Sequence, residues 1–491
     1  MPVAARHRER GAGTTRAALA ALCAFCLAVA AWSVLSCQVG LSHAAHDAAA
    51  GRGGAVLSLP NQEAPPPPPP PAGGRRPRIL YIDASAAFSN GSSVPRCDTE
   101  DPTGPLAAAR AALAAARPRA RGAAGHHSMG QYEGPWFVAQ ALLASGHAVF
   151  DASEGYDLAY VDAACYWAAS FVAGVLPGGG VDALGFSALR ALARVLKKAS
   201  RAADPARSVH FFPYFLPGPL HAACGSALPL DRGYMIAAEP AASCAPPGRT
   251  LVAPHSANED APRPLGPAAA ATAGFYENRT TLVTFIGGSA NETARSAGMQ
   301  LRHAAAAALA GRRRAAVRGG ACMDCPAAVD HATLARLYRA SRFCLVIPGD
   351  TQSSRRATEV ALHGCVPVFV GPPYGAAPLS GRLDYRAFAL VIEITDTAAW
   401  TATPANAAEA MMWLPPFPPT SRVGNLGGLF AALDAVPPAR VAALQSGLEA
   451  ARGAFLYRAR LDPARPSATD HIVGQILEWA RAAGAAGDGG G

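Results

Sequence analysis

No basic cluster in this chain is interleaved with aromatic residues, and no recognised nucleic-acid module is present. The formal charge is +9, with arginines grouped at Arg6, Arg8 and Arg10, at Arg75, Arg76 and Arg78, across 110–121, and at Arg312 to Arg314. Without rings to stack bases, such groups read as solvated faces or tails, and nucleic acid is not an expected partner. Cys322 and Cys325 have no second cysteine pair and no His-x-x-x-His partner nearby, so no metal site is expected. Gly178 to Gly180 is not followed by a helix with phosphate-binding features and reads as a loop. No internal repeat is visible, which excludes a solenoid. Large apolar side chains are sparse as well. Half of the 491 residues are hydrophobic, but nearly half of these are alanine, so core volume falls short of that fraction.

The chain does contain one long uncharged run. Residues 17–37 carry no formal charge over 21 positions, and Arg6, Arg8, Arg10 and Arg16 precede them. At about 1.5 Å per residue such a run spans a bilayer core of about 30 Å. The arginines place the amino terminus in the cytosol. The expected order is a cytosolic tail at 1–16, a transmembrane signal anchor at 17–37 and a lumenal remainder. A cleaved signal peptide is the alternative. Residues 38–77 form a stalk rich in Ala, Gly and Pro, with seven consecutive prolines at 65–71. That run suits an extended polyproline II spacer.

Eight cysteines lie outside the anchor: Cys97, Cys165, Cys224, Cys244, Cys322, Cys325, Cys344 and Cys365. An even number beyond an anchor fits disulfide use in an oxidising compartment. Acceptor sequons begin at Asn90, Asn278 and Asn291, which fits the same placement.

From residue 78 onward strand-like and helix-like stretches alternate, which predicts α/β architecture with mostly parallel sheets. Expected strands are 78–83, 148–150, 158–161, 209–212, 251–253, 282–288, 343–347, 366–370 and 388–394. Expected helices lie at 107–116, after Gly130, at 188–199, at 300–310, at 332–340, and through most of 439–483. A low-complexity segment at 262–273 divides the chain. The predicted domains are 78–260 and 274–440, followed by C-terminal helices at 441–483 and a tail at 484–491.

The most informative stretch is 342–370. It reads as strand, loop, helix, strand. Pro348-Gly349-Asp350 breaks the first strand, Ser353 or Ser354 offers an N-cap, and Gly364 offers a C′ residue. A polar loop with hydroxyls and arginines then sits beyond the end of a parallel strand, where phosphate-bearing ligands bind. Arg356 and Glu359 are three apart and share a helix face. One reading is a surface ion pair. The other is a nucleotide-sugar site, with Ser353 or Ser354 on the diphosphate, Arg356 neutralising it and Glu359 accepting from ribose hydroxyls.

The pattern Phe-Cys-Leu-x-x-x-Gly-Asp-x-x-Ser-Ser-x-Arg-x-x-Glu from Phe343, followed by Gly-Cys-Val-Pro-Val from Gly364, resembles the signature of the exostosin-like glycosyltransferases, family 47. Asp384 to Glu393, Tyr132 to Val161, and Phe285 to Gly287 with Arg302 resemble other parts of that family. The resemblance implies a GT-B fold, two Rossmann-like domains facing a cleft. It implies inverting transfer from a nucleoside-diphosphate sugar, such as a UDP-sugar, to a polysaccharide or glycoprotein glycan. No tightly bound cofactor is implied. Carried over by position, Ser353, Ser354, Arg356 and Glu359 are donor contacts, with Gly287 beside them and Arg295 as a further basic group. Cys344 and Cys365 look like a structural pair, with two buried thiols as the alternative. The implied setting is the Golgi membrane in type II orientation, with the catalytic part lumenal, and association with itself or related transferases. A non-catalytic partner or glycan-binding subunit is the rival reading.

Inverting transfer needs a base for the acceptor hydroxyl. Asp83, Glu133, Asp162, His210, Glu239 and His255 are available in the first domain. His210 matches a family histidine, and a structural role for it is the competing reading.

Overall fold

The computed structural model describes residues 75–83, 134–163, 203–212, 233–238, 248–257, 279–287, 297–319, 331–349, 353–371, 377–397 and 419–488. The anchor at 17–37, most of the stalk, the helices expected at 107–116 and 188–199, Arg295 and all three sequons lie outside these residues. Among the described residues no helix is long and apolar enough to cross a membrane.

Two six-stranded sheets are built, and every strand pairing in both is parallel. The first contains β1 (Ile79–Asp83), β2 (Ala148–Val149), β3 (Leu158–Asp162), β4 (Ser208–Phe212), β5 (Tyr234–Ala237) and β6 (Thr250–Val252), in spatial order 2-1-3-4-5-6. The second contains β7 (Thr281–Gly287), β8 (Ala315–Gly319), β9 (Ser341–Val346), β10 (Val366–Gly371), β11 (Leu390–Ile394) and β12 (Ser421–Val423), in order 8-7-9-10-11-12. The two orders are the same pattern. In each sheet the chain switches direction across the sheet beside its first strand, which opens a crevice at the carboxyl ends there. Two parallel α/β domains of Rossmann type fit GT-B.

Parallel strands are covered on both faces, so they tolerate unbroken apolar runs. Every residue of β4, Ser-Val-His-Phe-Phe, and of β10, Val-Pro-Val-Phe-Val-Gly, is buried. β5, β8 and β12 have no counterpart among the expected strands. β8 (Ala-Ala-Val-Arg-Gly) and β12 (Ser-Arg-Val) are sheet edges whose side chains carry little strand signature, and β5 is four residues long. The 148–150 strand closes after Val149, and Phe150 stands 70% exposed.

The helices among the described residues are α1 (Gly134–Ala144), α2 (Ala297–Leu309), α3 (His331–Ala340), α4 (Arg356–Leu362), α5 (Leu426–Asp434), α6 (Pro438–Ala451) and α7 (Ala468–Asp488). α2 starts three residues before the expected position, so Arg302 lies in its second turn rather than its first. Asn425 caps α5, its side chain accepting from the Gly428 amide at 3.2 Å. Asn425→Ala is expected to cost about 1 kcal/mol, read from the denaturant midpoint.

The C-terminal helices divide between the two cores. Val441 and Leu444 of α6 pack with α2, β7, β9 and β10. Ile472, Val473, Ile476, Trp479 and Ala480 of α7 instead pack with Ile79, Leu158, Tyr160, Val209 and Val138, under the first sheet. Two further contacts join the domains. Leu379, from the segment after β10, is buried in the first domain's cluster, and its amide donates to Val252 O at 2.7 Å. Ala257, just beyond β6, is buried among Ile286, Tyr338 and Ala357 of the second domain.

Candidate functional site

β7 ends at Gly287 and β9 runs into Ile347-Pro348-Gly349, so both open at the switch point of the second sheet. α2 follows β7 and begins against that exit. A Cβ on Gly298 would lie 2.2 Å from Gly349 O and 2.9 Å from Pro348 O. Only glycine lets the helix approach so closely. One turn further along, the Arg302 guanidinium donates to Ile347 O at 3.0 Å and to Ser354 Oγ at 3.4 Å. Arg302 therefore ties the strand exit to the start of α4. A Cβ on Gly349 would sit 2.9 Å from the same guanidinium, and one on Gly287 would meet the Phe285 ring at 2.8 Å. At both positions a side chain would have to displace the end of a neighbouring one.

Of the two serines, Ser354 starts the helix. Its carbonyl accepts from Ala357 N at 3.0 Å and its Oγ from Arg356 N at 3.3 Å. Ser353 does something else. Its Oγ lies 2.8 Å from His255 Nε2, a residue of the first domain. At the other end, Gly364 has φ +69°. Its amide donates to Ala361 O, and the Cys365 amide to Val360 O, both at 3.0 Å. Those two bonds are a Schellman ending. They turn the chain into β10, and Cys365, just before that strand, is joined to Cys344 of β9 by a disulfide.

Arg356 and Glu359 do not form a surface pair. Glu359 is 4% exposed, and its two oxygens are divided between two arginines, Oε1 lying 3.0 Å from Arg355 Nε and Oε2 bonded to Arg356. Tyr338 Oη donates to Oε2 at 3.5 Å. Burial alone would weaken the Arg356 proton's hold, but Glu359 and Tyr338 outweigh it and leave the guanidinium above its ordinary pKa. Burial first, and then the Glu359 charge, push the Tyr338 phenol up. The helix thus presents two fixed cations beside Ser354, with Arg356 the more exposed at 23% against 11% for Arg355.

Asp83 and Asp162 end paired strands β1 and β3 in register, at the switch point of the first sheet. Tyr81 Oη donates to Asp162. Burial, then Asp162, raise the Tyr81 phenol above its ordinary value. His210 is in the middle of β4, 4% exposed, with Nε2 3.3 Å from Ser208 Oγ. Burial lowers its pKa to about 4. Its ring is held inside the sheet layer. Among the described residues no group of three His, Cys, Asp or Glu could hold a metal ion.

The sequence brought Ser353, Ser354, Arg356 and Glu359 together, and they do share one loop and helix start. It did not connect Arg302 to Ser354, or His255 to Ser353. Both links join segments about fifty to a hundred residues apart. The one local signal for His255 was its place just past the end of β6, at a strand exit.

Residues 254–405 match the family model of the Exostosin GT47 domain. The match begins at Pro254, in the segment that carries His255 to Ser353, and takes in β7 to β11 with α2, α3 and α4. No curated protein matches the chain. The matched residues are those that build the second domain's switch point, and over them the chain is similar to the Exostosin GT47 domain.

Proposed function

We propose that the chain is an inverting transferase that moves a sugar from a UDP-sugar to a hydroxyl of a polysaccharide or glycoprotein glycan. The observation that carries this reading is the coincidence of the family match with the Ser354, Arg302 and Arg356–Glu359 cluster at the second sheet's switch point. Inverting transfer breaks the anomeric C–O bond to the diphosphate as the acceptor oxygen forms its own bond from the opposite face. Negative charge grows on the departing diphosphate. Fixed cations and hydroxyls stabilise that charge better than mobile water does. Arg356 is the exposed member of the pair, and buried Glu359 holds it in place. Gly287 lies at the strand exit beside the nucleotide in this reading, and Arg295 is its further cation.

The acceptor would enter from the first domain, whose switch point carries Asp83 and Asp162. The base that takes the acceptor proton belongs there. Buried His210 does not suit the role, because a base must touch the hydroxyl it deprotonates. UDP-sugar is a co-substrate in this scheme, and no tightly held cofactor is required. The uncharged run at 17–37 and its preceding arginines support a single-pass type II protein of the Golgi membrane. The Cys344–Cys365 disulfide fits the oxidising lumen that this orientation implies.

A panel of UDP-sugars offered to the purified full-length chain tests the reading by donor hydrolysis and by UDP calorimetry. UDP binding is expected, and Arg356→Ala should weaken it by about tenfold. Absence of both turnover and UDP binding would overturn it. The rival reading, a non-catalytic partner or glycan-binding subunit, is favoured by the enclosure of His210 in β4. Stable association with a related transferase, without UDP binding, would select it.

A further inference from the structure

We propose that His255 is a positioning residue of the nucleotide-sugar site: it reaches over from the first domain and fixes the Ser353 hydroxyl, so that both domains build the diphosphate pocket. The proposal rests on the UDP-sugar reading above and adds to it a residue from the opposite domain.

The ring's place is set from both sides. Ala253 continues β6, its amide donating to Ala237 O at 2.9 Å. Pro254 O accepts from the Tyr457 hydroxyl at 2.7 Å. Two residues beyond His255, Ala257 is buried in the second domain's core. The imidazole between these anchors is 9% exposed, and its Nε2 is 2.8 Å from Ser353 Oγ.

Which atom donates follows from the other ring nitrogen. Nδ1 is buried and has no hydrogen-bond partner among the described residues. An interior N–H without an acceptor is rarer and costlier than an acceptor without a donor. The ring proton is therefore on Nε2, which donates to Ser353 Oγ. The hydroxyl's own proton then points away from the imidazole, and a phosphate oxygen is the kind of acceptor it suits. Burial keeps the ring neutral, lowering its pKa to about 4, with Arg355 adding to that effect and Glu359 opposing it. The ring is thus a single-proton donor throughout the neutral range. Ser354 is already committed to the helix start and Arg302. Ser353, held by His255, adds a second hydroxyl beside that of Ser354.

A double-mutant cycle in UDP affinity, measured by calorimetry on the purified full-length chain, tests this. His255→Leu and Ser353→Ala are each expected to weaken UDP by about tenfold, the worth of one well-made hydrogen bond to a charged ligand. Because they act through one bond, the double variant should lose no more than about twofold beyond either single. His255→Gln, whose amide nitrogen reaches the position of Nε2, should stay within about threefold of wild type, a rescue that a purely structural role would not give. If His255→Leu fails to fold by circular dichroism, His255→Asn takes its place, its shorter amide falling short of Ser353 and losing about tenfold. Losses that multiply in the double variant, or a glutamine no better than leucine or asparagine, would overturn the proposal and leave the UDP site standing. A wild type that does not bind UDP would overturn both.

Discussion

Glu359→Ala is expected to lower the unfolding free energy by about 3–5 kcal/mol, the cost of stripping one partner from a buried charge pair. The carboxylate is 4% exposed and is shared by two guanidinium groups that are themselves 11% and 23% exposed. Removing it leaves Arg355 and Arg356 close together, partly out of water, with no anion between them. Tyr338 loses its acceptor contact as well. An exposed pair at the same helical spacing would be worth only about 0.3–0.5 kcal/mol. The two descriptions differ by several-fold and are separated by one denaturant titration. Glu359→Gln keeps the side chain's shape but removes its charge, and should fall between wild type and alanine. A loss under about 1 kcal/mol for Glu359→Ala would return the pair to the surface class.

Gly298→Ala should reduce transfer by about a hundredfold through displacement alone, since misplacing a site by about 1 Å costs that much. The added methyl would lie 2.2 Å from Gly349 O and 2.9 Å from Pro348 O. Both are backbone atoms of the strand exit, and neither can swing aside as a side chain would. Either α2 backs away or the exit moves. Either movement pulls Arg302 off Ile347 O and Ser354. Stability should fall more modestly, by about 1–3 kcal/mol. Gly381→Ala serves as the control, because a Cβ there meets nothing within 4 Å. Donor turnover measured on the folded variants reads the effect, and equal rates for the two would remove α2 from the site's support.

Local features were legible in the chain and distant ones were not. Ser354, Arg356 and Glu359 lie within six residues, so helical spacing alone puts them together, and the Gly364 ending was readable from residue type. β5, β8 and β12 escaped because alanine, arginine and serine carry little of the β-branched signature that marks β7 or β9. The α7 sequence reads as a helix, but nothing in its pattern says which sheet it covers. That depends on where a turn near residue 460 sends it. The same limit hid the burial of Glu359. Its carboxylate is enclosed by Tyr338 from another helix, and spacing along α4 cannot report on a neighbour.

The position of α7 has a consequence for the order of folding. A chain made from its amino terminus normally completes its first domain first. Here the strands of that domain end at Val252, and the helix that closes its core starts at Ala468. Synthesis of the intervening residues takes roughly ten to forty seconds at about 5–20 residues per second. By the end of that interval the described strands and helices of the second domain's core, through α6, have been made, while the first sheet's core still lacks α7. The second domain is therefore able to fold before the first, whose core waits for α7.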